Sequence, residues 1–278
     1  MKTKVYIIKR RPEESNQQVV LRTLRMVPLK DIINQTEEKI LINPNWVNSD
    51  HSNTGNVTST DTIEGIILYL IDENKIDPDK LIVADGGSFG TDRCMEVNDV
   101  FRLKEYGVKV YNLNDDPIIK NIKISNPDVL KTVDIVKTAL DVSCIISVPS
   151  LKTHSMAKTT LSMKNMMGLI YPKGIMHSKL HRKIADLVSI FREKMKFQVI
   201  DGIIGSNGSE LGGKPVNMDL IIAGEDPVAV DRVGSDIMGK EPDVVKYLGF
   251  AEKKGLGTAH LDEIEIIGEP IDVVKRNF

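Results

Sequence analysis

The sequence predicts an α/β fold: a largely parallel sheet flanked by helices, with a second, smaller α/β domain. Two patterns predict it. The strand-like runs, such as KLIVADGG and VSCIISVP, are apolar almost end to end rather than alternating, which suits strands covered on both faces. Amphipathic stretches of helical length separate them, and that alternation is the mark of βαβ units. The length of 278 residues supports a sizeable core, and 41% hydrophobic with 27% charged residues is ordinary for a globular chain.

Taken in order, VYIIK (5–9) and KILINPNW (39–46) read as the first strands. A long polar loop, 43–61, carries Asn43, Asn45, Asp50, His51 and the sole Trp, and loops of this length are often functional. A helix is expected from about Thr62 to Asn74, with Ser59 or Thr60 as its cap. KLIVADGG (80–87) is a strand, and ADGGSFGTD (84–92) is a glycine-rich turn into a helix near Asp92–Tyr106. VKVYNL (108–113) follows, then a helix near Leu130–Leu140 and the strand VSCIISVP (142–149). Beyond a helix near His181–Met195 come the strands FQVIDGII (197–204), MDLIIAG (218–224) and IEIIG (264–268). A further helix runs near Asp226–Met238, where Asp226 serves as the cap and Asp231 reads as a surface charge. A boundary near Lys196 divides a domain of residues 1–195 from one of 196–278 that closes the cleft.

The segment after VSCIISVP concentrates the chemistry. Residues 150–196 hold ten Lys and Arg against two acids, about +8 in a chain of net charge −2, together with His154, His177 and His181. Ligands of doubly wound sheets gather beyond the carboxyl ends of strands, where Lys152 and His154 would emerge together. Thr159, Thr160 and Ser162 add hydroxyls, and Lys164 and Asn165 follow. A phosphate or carboxylate is the expected ligand, against the alternative of a solvated basic face over packed methionines. His154, with an unperturbed pKa of about 6.5, is the expected proton-transfer group. His177 and His181 are spaced i, i+4, a spacing of paired imidazole ligands if the helix already runs there.

Other strand ends supply further candidates. Gly86, Gly87 and Ser88 could bring backbone N–H groups to an anion, and Asp85 stands ready to orient a base or a metal. DGIIGSNGSELGGKP (201–215) reads as a flexible loop able to close over a ligand, with Asp201 at its strand end completing a metal shell with His177 and Glu210 within it.

These same residues carry a family resemblance. NPNW, VADGG, SVPSLKTH, TTLSMKNMMGLI, IDGI, GGKP, DPVAVD and GLG resemble the domain-of-unknown-function family 362 over nearly the whole chain. Some members carry a ferredoxin-type module, so the resemblance implies redox or metal work and a ferredoxin-type partner. The motif order is more distantly similar to the catalytic domain of nickel-pincer lactate racemases. By that likeness Lys164 matches the lysine bearing the cofactor, His154 a proton-transfer histidine and His177 the nickel ligand. Ser88 stands where a second proton-transfer histidine is expected, and the phosphate motif would fall at Asp50–Asn53 without its arginine. Racemisation by two symmetric histidines is therefore not expected.

The expected function is an enzyme, isomerase or oxidoreductase in type, that binds an anionic small molecule or cofactor with the help of a divalent metal. His154, Lys164 and Asp85 are its catalytic candidates, and Lys152, Asn165, Gly86, Gly87, Ser88, Thr159 and Thr160 bind the ligand. The alternatives are a non-catalytic accessory protein handling a ligand, and a nucleic-acid binder. The last is poorly supplied, since aromatics are 5% of the chain and the net charge is negative. Two cysteines without a C-x-x-C spacing leave no iron–sulfur cluster within this chain. No apolar run reaches the roughly 18 residues needed to span a bilayer, and the N-terminus lacks a signal peptide's apolar stretch. A cytoplasmic location, no membrane partner and self-association as a homo-oligomer complete the expectations.

Overall fold

A computed structural model describes residues 2–27, 29, 33, 39–88 and 90–278 of the chain. The first strand, β1 (Thr3–Lys9), leads into α1 (Asn16–Met26). A capping box opens α1: the Ser15 hydroxyl accepts from Gln18 N–H while the Gln18 side chain accepts from Ser15 N–H. The apolar stripe of α1 is short (Val19, Val20, Leu24), which makes it a weak signal in the sequence. Then come β2 (Ile40–Pro44), α2 (Thr60–Leu68), β3 (Leu81–Asp85), α3 (Thr91–Val97) and β4 (Lys109–Asn112).

The expected helix at 130–140 is instead a strand followed by one helical turn. After β5 (Ile118–Lys123), the run TVDIV forms β6 (Thr132–Val136), and only then does α4 (Lys137–Asp141) begin. Val133 and Ile135 are buried while Thr132 and Asp134 are not. That period of two, on β-branched residues, lets β6 pair antiparallel with β5.

The second half holds β7 (Cys144–Val148), β8 (Ser150–His154), β9 (Lys158–Thr160), α5 (Ser162–Asn165), β10 (Ile170–Tyr171) and α6 (Leu180–Phe191). It ends with β11 (Met195–Ser209), β12 (Gly212–Gly224), α7 (Pro227–Ile237), α8 (Tyr247–Lys253) and β13 (Ile264–Gly268). The expected flexible loop at 201–215 is the distal part of the β11–β12 hairpin, paired from Ile204↔Asn217 out to Ser209↔Gly212. Its glycines serve close packing as well as turning. A Cβ on Gly205 would stand 2.8 Å from the Leu151 carbonyl oxygen, and one on Gly213 would stand 2.1 Å from Ser206 Oγ.

A ten-stranded sheet, in the order β13-β1-β12-β11-β7-β2-β3-β4 with β8 and β9 to one side, organises the molecule, beside a three-stranded sheet β10-β6-β5. β4, β3, β2, β7 and β11 run parallel. The strands after residue 195 lie in the same sheet as those before it, because β12 pairs with β1 and β1 with β13. Both faces are covered. Ile40 and Ile42 of β2 enter the core on one side and Leu41 the other; Leu81 and Val83 of β3 oppose Ile82 and Ala84 in the same way. This two-sided burial is why these strands are apolar throughout. From β2 the chain moves outward to β3 and β4, then returns to lay β7 on the opposite flank of β2. The carboxyl ends of β2, β3 and β7 therefore splay around a topological switch point.

Helices α1 and α2 pack closely on one face, where a Cβ on Gly65 would stand 2.8 Å from Val20 Cβ. Gly65→Val should destabilise the fold by about 1–3 kcal/mol through overpacking, read as a lower denaturation midpoint in urea with an unchanged m-value.

Candidate functional site

A cavity of about 510 Å³ opens at the switch point. Asn45 and Val47 reach it from the end of β2, Gly87 and Ser88 from the turn after β3, Lys152 and His154 from β8, Thr160 from β9 and Lys164 from α5. Lys173 and His177 line it from the turns before α6, and Glu210 and Leu211 from the tip of the β11–β12 hairpin. A smaller recess adjoins it, shared by Lys164 and Ser88 and reaching Asp85, Gly86 and Asn165.

β8 is an unusual strand because SLKTH is buried along its whole length. It leaves β7 through Pro149 and is held between β9 and the far part of β11, with Ser206 opposite Lys152. The pleat turns Lys152 and His154 to one side. Lys152 is only 1% exposed, and its Nζ donates to the Asn56 carbonyl at 2.6 Å. Burial, reinforced by the charge of Lys164, brings its pKa down to about 7. Lys164 is part-exposed because it faces the cavity, and burial lowers it to about 8 against the pull of Glu210. Lys173 is also lowered by burial, with Asp85 opposing, and its Nζ donates to Asn114 Oδ1 at 3.0 Å. Among the described residues, no group hydrogen-bonds Lys164 Nζ.

His154 closes the turn between β8 and β9. Its Nδ1 accepts from the N–H groups of Met156 and Ala157, both at 3.1 Å. The neutral ring therefore carries its proton on Nε2. Burial first, then the charge of Lys164, lowers its pKa to about 3. Glu210 Oε2 lies 3.7 Å from Nδ1, but near neutrality the imidazole is uncharged and the two do not form an ion pair. Burial acts to raise the Glu210 carboxyl. Bonds from backbone N–H groups and the Ser155 hydroxyl (2.8 Å) outweigh it and bring the pKa to about 2. At neutral pH His154 is thus an Nε2–H donor, in place of the proton exchanger expected from its residue type.

Several of the expected site residues, catalytic and ligand-binding, are engaged in the frame. Asn165 Nδ2 donates to the carbonyls of Asn43 (2.9 Å) and Pro44 (3.2 Å) while its Oδ1 accepts from Asn45 (3.0 Å), fastening α5 to the end of β2. Asp85 accepts from Trp46 N–H at 2.7 Å and from Asn43 Nδ2 at 3.3 Å, and its burial raises its pKa. Gly87 is obligatory, since a Cβ there would fall 1.9 Å from the Trp46 carbonyl oxygen. Thr159 turns away to the Tyr247 hydroxyl at 2.7 Å. Thr160 stays: it is 2% exposed, and its Oγ1 is buried beside the cavity without a partner among the described residues. Asp231, expected on the surface, is fully buried and pushed up to about 7 by that burial. It accepts from the N–H groups of Ser162 (2.7 Å) and Met163 (3.0 Å), the first turn of the helix that carries Lys164.

The expected metal set does not assemble. α6 begins at Leu180, so His177 precedes it, and His181 accepts the Tyr247 N–H at 3.2 Å. Asp201 lies in a different hollow, near Ser59 and Asp61, and accepts from Ser59 N–H at 2.9 Å and Ile203 N–H at 3.2 Å. Among the described residues no three of His, Cys, Asp and Glu gather to hold a metal ion. Lys164 and His177 line one cavity. A pair of proton-transfer imidazoles does not fit, because His154 has its Nδ1 engaged and Ser88 occupies the glycine turn. Lys173, Asn114 and Tyr171 also line the cavity and are not among the expected site residues; Lys173 is one of ten cations in the basic run, with nothing in its spacing to set it apart.

The family model described as Domain of unknown function (DUF362) matches residues 40–236. The thylakoid-associated protein sll1697 of Synechocystis sp. is 22% identical over 273 residues, covering 93% of this chain and 81% of that protein. The lactate racemase apoprotein from Thermoanaerobacterium thermosaccharolyticum superposes with a TM-score of 0.52 at 16% identity, covering 86% of this chain. The match spans 57% of that structure's length, and it shows a shared α/β fold. No helix among the described residues is long and apolar enough to cross a membrane.

Replacing the charge of Lys164 by an apolar chain of similar length relieves its desolvation. Lys164→Met should raise stability by about 1 kcal/mol, roughly 2–4 °C in a thermal melt; a lower melting temperature would mean that the ammonium is held by the fold. Asp231→Ala should do the opposite, costing about 2–4 kcal/mol by leaving two N–H groups and a cavity behind, measured by denaturant titration.

Proposed function

This chain belongs to the domain-of-unknown-function family 362, and we propose that within it the protein is an enzyme acting on one anionic small molecule, phosphate- or carboxylate-bearing, held at the switch-point cavity. One observation carries the reading. Three lysines and an imidazole N–H face a single cavity in which Glu210 is the one acidic lining residue among those described. Cations whose proton affinity is lowered by burial regain it when an anion enters, so ligand charge and lysine protonation reinforce one another. Lys152 and Lys164 would hold the anion, and His154 Nε2–H would donate to an oxygen on which charge develops, the role of an oxyanion-type donor. Thr160 Oγ1 supplies a further hydroxyl. The likeness to a lactate racemase supports isomerase or oxidoreductase chemistry on an oxygen-bearing acid as the reaction class.

A second reading, a non-catalytic protein that holds such a ligand for another enzyme, is favoured by the engaged Nδ1 of His154, which accepts two backbone N–H bonds and is not free to take a proton. Turnover by the isolated protein separates the two.

The anion reading has a definite pH signature. Lys152 and Lys164 bind anions as cations and lose their protons as pH rises through about 7 and about 8. Affinity for sulfate or oxalate, neither of which titrates in this range, should therefore be greatest near pH 6 and fall about tenfold or more by pH 9. Isothermal titration should give one site, lost in Lys152→Met and in Lys164→Met. No saturable binding at pH 6, or binding indifferent to both substitutions, would refute the proposal.

A further inference from the structure

We propose that Lys164 is a nucleophile that forms an imine with the carbonyl carbon of a 2-oxo acid bound in this cavity. The inference deepens the anion-site reading and rests on it, because the carboxylate of the ligand needs the neighbouring cations. What distinguishes Lys164 from the other lysines nearby is its freedom. Lys152 Nζ is held by the Asn56 carbonyl, Lys173 Nζ by Asn114 Oδ1, and Lys183 Nζ by the Ile175 carbonyl and Ser178 Oγ. Lys164 Nζ meets no hydrogen-bonding partner among the described residues, yet it lines both the cavity and its recess.

The backbone beneath it is fixed on both sides. Asp231 holds the N–H groups of Ser162 and Met163, and Asn165 is fastened to the carbonyls of Asn43 and Pro44. An unrestrained amine on a fixed backbone, facing a cavity, is the arrangement that Schiff-base lysines require. Burial that lowers its pKa to about 8 leaves a share of the side chain as free amine at neutral pH.

The surroundings match the two ends of a 2-oxo acid. Lys152 is placed to take the carboxylate, with the unpartnered Thr160 Oγ1 as a second donor. His154 Nε2–H is placed to donate to the carbonyl oxygen. In the first step the neutral amine adds to the carbonyl carbon, a C–N bond forms, and the carbonyl π pair moves onto oxygen. The two amine protons pass to that oxygen, which leaves as water, and the C=N bond closes. No oxidant or reductant takes part.

The test uses pyruvate as the 2-oxo acid, acetone as a neutral ketone, and borohydride to reduce any imine to a stable secondary amine. Peptide mass mapping of the full-length protein should place a single reduced pyruvyl adduct on Lys164. Sulfate should suppress that adduct, and acetone should give none under the same conditions. Lys164→Arg should abolish it, while Lys183→Arg, outside the cavity lining, should leave it in place; thermal melts of both variants verify folding. Sulfate binding with no adduct, or an adduct spread over other lysines, overturns the nucleophile and leaves the anion site standing. An adduct on Lys164 that acetone forms equally and sulfate does not suppress overturns the anion site and supports the nucleophile.

Discussion

Desolvation of the lysines at the end of the central strands is the constraint from which the rest of the structure follows, because an ammonium inside a protein is tolerated only where something returns what water gave it. Lys152 is buried in a strand with a carbonyl oxygen as its sole hydrogen-bonding partner among the described residues, and Lys164 faces the same cavity. A fold selected only for stability would place apolar side chains at both positions. On the proposed reading, a ligand that restores the lost solvation is what makes lysines at these positions useful.

Much of the surrounding structure reads as support for that arrangement. Asp231 and Asn165 immobilise the short helix α5, and neither touches the cavity with a free polar atom. Gly87 and Gly205 let backbone segments approach closer than any Cβ would permit. Asp85 ties the end of β3 to the backbone of Trp46 just beyond β2. His154 locks the β8–β9 turn with one nitrogen and offers the other to the cavity. Positional rigidity of this kind is what a binding or reacting site needs from its frame.

The topology explains why the site lies where it does. At the switch point the connections leave β2 and β7 in opposite directions, so no crossover fills the space beyond their ends. β8 continues past β7 into that space, carrying Lys152 and His154 with it. The β11–β12 hairpin then extends alongside β8 and brings Glu210 and Leu211 over the same opening. The residues from 196 onward thus contribute to the cavity as part of the same sheet that carries β8.

The sequence by itself determined the fold class, since fully apolar strands such as LIVAD and CIISV report two-sided burial directly, and helix-length amphipathic runs report the layers that cover them. It also singled out Lys152, His154, Lys164, Gly87, Ser88 and Thr160, at strand ends or within the basic run, and these six line one cavity. Which of their polar atoms are engaged, and with what, depends on tertiary contacts. Two N–H groups from its own turn claim Nδ1 of His154, a contact that residue type cannot reveal. Asp201 and His181 dropped out, and Lys173 and Asn114 entered, because partners far apart in the chain settle which polar atoms are spent and which stay free. TVDIV became a strand for the same reason: local periodicity is ambiguous over a few residues, and the pairing strand that resolves it lies elsewhere.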